Sequence, residues 1–192
     1  GPTDGRTDGQ TGETGWVPPQ VIADLSLARH GLKVVTADPW AAIALEGGGR
    51  LELSSDIQRS VEAIRRHSPT DAAKWPEFCG RMHKVAGVLA ELYSQPAPDV
   101  ETTQVGEVLR LGLLGLRVKR LGRQGMIDLL RLLPMSIADV LDEWFEHDAL
   151  KAALGIAGVM HLRQGPRSGG TAFNFLHHHV GSPAGVFRLP ES

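Results

Sequence analysis

The chain has 192 residues, 42% hydrophobic and 22% charged, with 20 Lys and Arg against 22 Asp and Glu. That apolar content excludes a wholly disordered chain, and a net charge of −2 leaves no electrostatic footprint for a nucleic-acid backbone. One cysteine excludes an internal disulfide and, with no signal peptide in view, a cytoplasmic location is expected.

The longest stretch free of Asp, Glu, Lys and Arg lies between Arg167 and Arg188. It holds Asn174, three histidines, Pro183 and several glycines, so it lacks the ~20 apolar residues of a bilayer span. Residues 1–15 carry no aliphatic or aromatic side chain and repeat TDG; they read as a disordered low-complexity tail, with 16–192 as one folded unit. Pro18 and Pro19 suit a helix start, Val21, Ile22, Leu25 and Ala28 follow helical spacing, and Gly31 is placed as a left-handed stop. Leu32–Val35 reads as a short strand. Ala42–Glu46 and Arg50–Ser54 read as a hairpin around Gly47-Gly48-Gly49, the second arm alternating Leu51, Glu52, Leu53.

Ser55 and Gln58 have capping-box spacing ahead of a helix whose stripe is Ile57, Val61 and Ile64. Ser68-Pro69 opens the next helix, which Pro76 is expected to kink or divide. Phe78, Met82, Val85, Leu89 and Leu92 then keep helical spacing up to a break at Gln95-Pro96-Ala97-Pro98. A further helix is predicted from Thr103 to Gly122, with Gly112, Gly115 and Gly122 on one side. Each glycine weakens a helix by ~1 kcal/mol relative to alanine, so close approach of a backbone or a bulky ligand is expected there.

Met126–Leu133 gives a short helix ended by Pro134, Ser136 caps another, and Asp148 is expected to cap one running to about His161. The Gly-rich turn Gln164–Gly170 leads into a helix from Thr171 to Val180, and the residues after Gly181 show no clear element. The class that emerges is α+β, mainly helical, with a small antiparallel sheet near residues 32–54.

Several constellations bear on chemistry. His177, His178 and His179 are consecutive, so on a helix they point about 100° apart and do not converge as metal ligands need to; no metal site is expected. Cys79 lies among Phe78, Met82 and Val85 and reads as a small buried hydrophobe rather than a nucleophile. The run Gly47–Gly49 sits between two strands, and neither GxGxxG nor GxxxxGK[ST] occurs, so the chain carries no nucleotide-phosphate loop of known pattern. Arg117, Lys119, Arg120 and Arg123 form the densest basic patch; poor segregation from the leucines favours a solvated, partly packed helix over lipid contact. The Gly165–Thr171 turn offers helix N-terminal N–H groups beside Arg167 that could hold an anion, against the alternative of a turn capped by Ser168 or Thr171.

Three segments in order, VIADLSLARHGLKVV, LLPMSIADVLDEWFEHDALKAALGIAGV and QGPRSGGTAFNFLHHHVG, resemble the phytoene desaturase-like FAD-dependent oxidoreductases of the amine-oxidase superfamily. The resemblance covers Val17 to Gly181 and matches the substrate domain that intervenes between the family's GxGxxG unit and its last flavin-contacting segment. It implies hydride removal from an apolar or amine-like substrate, with the protein supplying orientation and desolvation. It also implies FAD in the full-length family and none held by this chain alone, so a fragment or a remnant without the cofactor machinery is expected.

No catalytic side chain carries over from that family. The residues expected to line a substrate pocket are Arg167, Ser168, Thr171, Asn174 and His178, with Phe175 as an apolar wall and Gly112 and Gly115 flanking a channel. The expected partners are a lipophilic or amine-like small molecule and a flavin-binding domain or partner chain. Self-association and peripheral membrane contact are further expectations. A non-catalytic helical interaction module is the competing reading, and a metal-binding helical protein built on the histidines a weaker third.

Overall fold

The computed structural model describes residues 17, 19–33, 37–94 and 105–187. The low-complexity start, Val34 and Val35 of the predicted strand, and the break at Gln95–Pro98 lie outside the described residues. A short helix α1 (Pro19–Asp24) is followed by a 3-10 turn over Leu27–His30, which Gly31 ends at φ +94° as predicted. Leu32 and Lys33 are not in a strand. The fold is α+β and mainly helical, with one small antiparallel sheet.

That sheet is the predicted hairpin. Strands β1 (Ala41–Ala44) and β2 (Arg50–Leu53) pair with Ala41 opposite Leu53 and Ile43 opposite Leu51. Gly47, Gly48 and Gly49 hold φ of +88°, +97° and +89°, a run of left-handed residues that side chains with a Cβ resist. Alternation along β2 sends Leu51 and Leu53 inward to full burial.

Helix α2 (Ile57–Arg65) begins one residue later than the capping-box spacing implies. Asp56 is its cap, its Oδ1 accepting from the N–H groups of Gln58 (2.7 Å) and Arg59 (3.3 Å). Ser55 instead donates its N–H to Asp38, so a carboxylate acceptor has displaced the hydroxyl. The central helix α3 (Pro69–Tyr93) starts as predicted, with Ser68 Oγ accepting from Asp71 N–H. It runs 25 residues through Pro76 without division. A helix-interior proline costs about 3 kcal/mol, but Trp75, Phe78 and Cys79 beside it are fully buried, and each large apolar side chain returns roughly 1.5–3 kcal/mol.

Helices α4 (Val105–Arg120) and α5 (Gly122–Leu132) follow, packed on each other, with α5 also against α3. Then come α6 (Ile137–Trp144), α7 (Asp148–Val159) and α8 (Thr171–His179), which pack together, α6 and α8 also on α3. Ser136 caps α6 through the Asp139 N–H as predicted. The cap of α7 is not Asp148: His147 occupies that position with no side-chain cap bond, and Asp148 is the first helical residue, where its charge complements the helix dipole. The α6–α7 connection is fixed from α3 instead. Buried Asp71 accepts from the N–H of Glu146 and of His147, both at 2.9 Å.

One buried cluster runs from Trp40 to Phe187. Its centre is aromatic: Phe78 against Phe145 at 4.9 Å, Trp75 against both, and Phe175 stacked on Phe187 at 4.8 Å. Residues 180–187, described after α8, form no helix or strand, yet Val186 and Phe187 are core residues. The His179 ring packs on Phe187 at 4.5 Å, and its Nδ1 lies 2.6 Å from the Val186 carbonyl, an arrangement in which Nδ1–H donates. Gly158 is the close-packing glycine: a Cβ there would come within 2.7 Å of Ile137, so α7 approaches α6 at a distance only Gly allows.

Candidate functional site

Helices α6 and α7 diverge from Gly158 and leave a groove of about 390 Å³ between them. Its walls are Leu141, Ala152, Gly155, Ile156 and Val159, with Ala138 and Pro166 closing one end. The rim is charged. Lys151 Nζ donates to Asp142 at 2.9 Å and sits 3.1 Å from Asp148; Arg167 lies 3.6 Å from Asp142 and 3.8 Å from Asp139. The Lys151 bond, then the Arg167 guanidinium, hold the Asp142 carboxyl below the ordinary carboxylate range. Bonds to Asp142 first and to Asp148 raise the Lys151 ammonium above its usual value. Asp142 and Lys151 therefore stay ionised through neutral pH, while the floor is hydrocarbon. Exposed pairs of this kind contribute about 0–1 kcal/mol each, so they are cheap for a ligand to rearrange.

The expected pocket residues divide over this geometry. Arg167 stands at the groove mouth, its side chain mostly exposed. Ser168 and Thr171 build the turn behind it. Thr171 is fully buried; its Oγ1 accepts from Ile137 N–H at 2.9 Å and donates to the Ser168 carbonyl at 2.7 Å. Asn174 Nδ2 donates to the carbonyls of Gly158 (3.1 Å) and Met160 (3.0 Å), closing the C-terminus of α7 from outside it. His178 is buried, with Nε2 3.4 Å from the same Met160 carbonyl and its ring between those of His161 and His177. Phe175 is a core residue. These side chains thus hold the end of α7, the groove's far wall, while Arg167 alone of that set lines it.

Two expectations are corrected. The cap of α8 is Gly170 at φ +81°, not Ser168 or Thr171. The N–H groups of Gly170 and Ala172 donate to the Pro134 and Met135 carbonyls, and that of Thr171 to Ser168, so this helix start does not present them to an anion. Gly112 and Gly115 are on α4, and among the described residues nothing lies within 4 Å of a Cβ built at either, so no neighbouring backbone makes the close approach expected there. The sequence reading missed Lys151, Ile156 and Val159. Their signal was the Asp148–Lys151 spacing beside an apolar helix, legible only once α7 is set against α6.

A second depression of about 340 Å³ lies between α3, α5 and α6. There Arg81 makes a two-pronged bond to Asp128 (3.0 and 2.6 Å) and stands 5.1 Å over the Trp144 ring. Hydrogen bonding to Asp128 raises the Arg81 pKa further. Arg81 also reaches Glu77 and Arg131 pairs with Glu143, and Gln124 adds a third bond to Asp128; this depression reads as a tie between helices. Among the described residues no group of three His, Cys, Asp or Glu is arranged to hold a metal. Burial pushes the Cys79 thiol far up, which keeps it protonated and inert. No helix among the described residues is long and apolar enough to cross a membrane.

A helical body with an apolar, charge-rimmed groove is the kind of scaffold that takes a small, largely apolar molecule. Comparison with known proteins finds similarity to relatives whose name gives them a pyridine nucleotide-disulfide oxidoreductase domain. The particular relatives are the rat and mouse proteins called pyridine nucleotide-disulfide oxidoreductase domain-containing protein 2. Each is 30% identical over 182 residues, covering 88% of this chain and 31% of the relative. The chain therefore spans about a third of the length of these curated relatives. No family model and no solved structure matches it.

Among the described residues no strand–glycine turn–helix unit of the dinucleotide-binding kind occurs. The described sheet is a single antiparallel pair with no parallel crossover, and its glycine run closes a hairpin rather than opening a helix.

Proposed function

We propose that this chain is the substrate-binding portion of an FAD-dependent oxidoreductase of the phytoene dehydrogenase-like kind, which removes a hydride from an apolar or amine-like substrate. Hydride acceptance belongs to flavin chemistry, and residues other than those described here would hold that cofactor. The observation that carries the reading is the α6–α7 groove: a hydrocarbon floor for the body of such a substrate, with Asp142 and Asp148 at the rim for an ammonium and Arg167 at the mouth. Similarity to oxidoreductase-named relatives supports the class. Thr171, Asn174 and His178 would act by fixing the far wall, and Gly112 and Gly115 have no part in the groove.

The test is substrate-dependent flavin reduction by this chain assembled with a flavin-binding domain. Ile156 is 60% exposed within the groove, so Ile156→Asp can place a charge on the floor without opening the core. The expected outcome is a KM for apolar substrates raised about tenfold or more, the scale of losing roughly 1–3 kcal/mol of apolar contact. Unchanged kinetics in Ile156→Asp and Arg167→Ala would move the substrate elsewhere. Absence of any flavin reduction would favour the non-catalytic interaction module.

A further inference from the structure

We propose that the α4–α5 arm is an in-plane docking surface for an anionic lipid bilayer, an inference that does not rest on the flavin reading. Leu109, Leu113 and Leu116 are 63%, 48% and 46% exposed. Basic residues taken by spacing alone read as poorly segregated, but at about 100° per residue these three exposed leucines and Arg120 fall within about 60° of one another, so the leucines form one outward stripe that ends in a cation. On α5, Ile127 and Leu130 are exposed as well. A stripe of large apolar side chains facing water on two successive helices is not the scattered exposure of an ordinary surface.

Charge identifies what covers it. From Val105 to Leu132 the sequence carries six cationic residues and two acidic ones, on a chain whose net charge is −2. Asp128 and Arg131 are already engaged, with Arg81 and Glu143. Lys119, Arg120 and Arg123 are exposed at the α4–α5 junction, beside the end of the leucine stripe. Protein interfaces deplete lysine from their apolar centres, whereas helices that lie in a bilayer surface set leucines beside Lys and Arg that reach the headgroups. The open space around Gly112 and Gly115 agrees with this: the arm has no sculpted groove for a rigid partner, and a fluid apolar medium needs none. With 16 residues, α4 is about 24 Å long, so it would lie along the surface.

The experiment is co-sedimentation of the full 192-residue chain with vesicles of phosphatidylcholine alone, or with about 30% phosphatidylglycerol. The expected result is binding to the anionic vesicles, at least about tenfold above the neutral ones, that weakens as salt rises from about 0.1 to 0.5 M. A variant combining Leu109→Ser, Leu113→Ser and Leu116→Ser, with unchanged circular dichroism and urea midpoint, should lose about tenfold or more of that binding. Replacing Lys119, Arg120 and Arg123 by Gln should abolish the preference for phosphatidylglycerol. Failure of the parent chain to sediment with anionic vesicles would overturn the proposal, as would undiminished binding by the leucine variant. A self-association seen by sedimentation velocity that the leucine variant abolishes, without vesicle binding, would assign the face to a second copy instead.

Discussion

Two glycine-bearing helix pairs in this molecule have opposite logic. Where α6 meets α7, Gly158 is buried, Ile137 occupies the space a side chain would need, and ring-on-ring packing lies beyond. Where α4 meets α5, nothing among the described residues lies near Gly112 and Gly115, and Leu109, Leu113 and Leu116 are exposed. In the first pair, a weak helix former is compensated by close packing. In the second, nothing within the described residues compensates it, so helix stability is left to whatever covers the leucines. The comparison teaches that glycine on a helix marks close approach only where the third dimension supplies a neighbour.

The contrast can be broken first at the aromatic centre. Phe187→Ala removes a ring that contacts Trp40, Trp75, Phe78 and Phe175. It should cost about 3–5 kcal/mol of unfolding free energy by urea titration, far more than any single change on α4.

Next comes acidity. Burial lowers the His179 pKa from 6.5 to about 4, outweighing the raising effect of its bond to Val186. Folding therefore excludes a proton that the unfolded chain accepts. The stability contribution is complete above about pH 6.5 and is lost progressively as pH falls towards 4, reaching about 3 kcal/mol. His179→Asn, which keeps a donor near the Val186 carbonyl, should flatten that part of the stability–pH curve.

The smallest and sharpest test sets the glycines against each other. Gly158→Ala forces Ile137 aside and should destabilise by about 1–3 kcal/mol. Gly112→Ala meets nothing and should instead strengthen α4 by about 1 kcal/mol, read as a roughly fivefold rise in amide-exchange protection of that helix. Equal responses at the two positions would erase the distinction.

The pattern of success in reading the sequence follows the range of the interactions. The hairpin, the Ser68 and Ser136 caps, the Gly31 stop and the apolar stripes of α2, α3 and α6 are set by neighbours a few residues apart, and all were legible. Ser55 was misjudged because its neighbour Asp56 takes the cap while Asp38, 17 residues away, holds the Ser55 N–H. Asp148 was misjudged because Asp71, 75 and 76 residues away, fixes the Glu146 and His147 N–H groups. Pro76 was expected to kink or divide its helix; it does not divide it, because the proline's cost is local while the burial that outweighs it is not. Of the candidate site, Arg167 was visible as a cation in a Gly-rich turn. The apolar wall from α7 was not, since Ile156 and Val159 become one surface with Leu141 only after α6 and α7 cross.

The carboxyl-terminal strap has a practical consequence for where this folding unit can be cut. A boundary drawn from periodicity would fall at Gly181, after the last helix turn. A polypeptide trimmed there forfeits Val186 and Phe187 together, leaving a vacated slot between Trp40, Trp75, Phe78 and Phe175 and an imidazole facing it with its acceptor gone. Six residues that look like an afterthought in the sequence thus serve as the stopper of the whole globule.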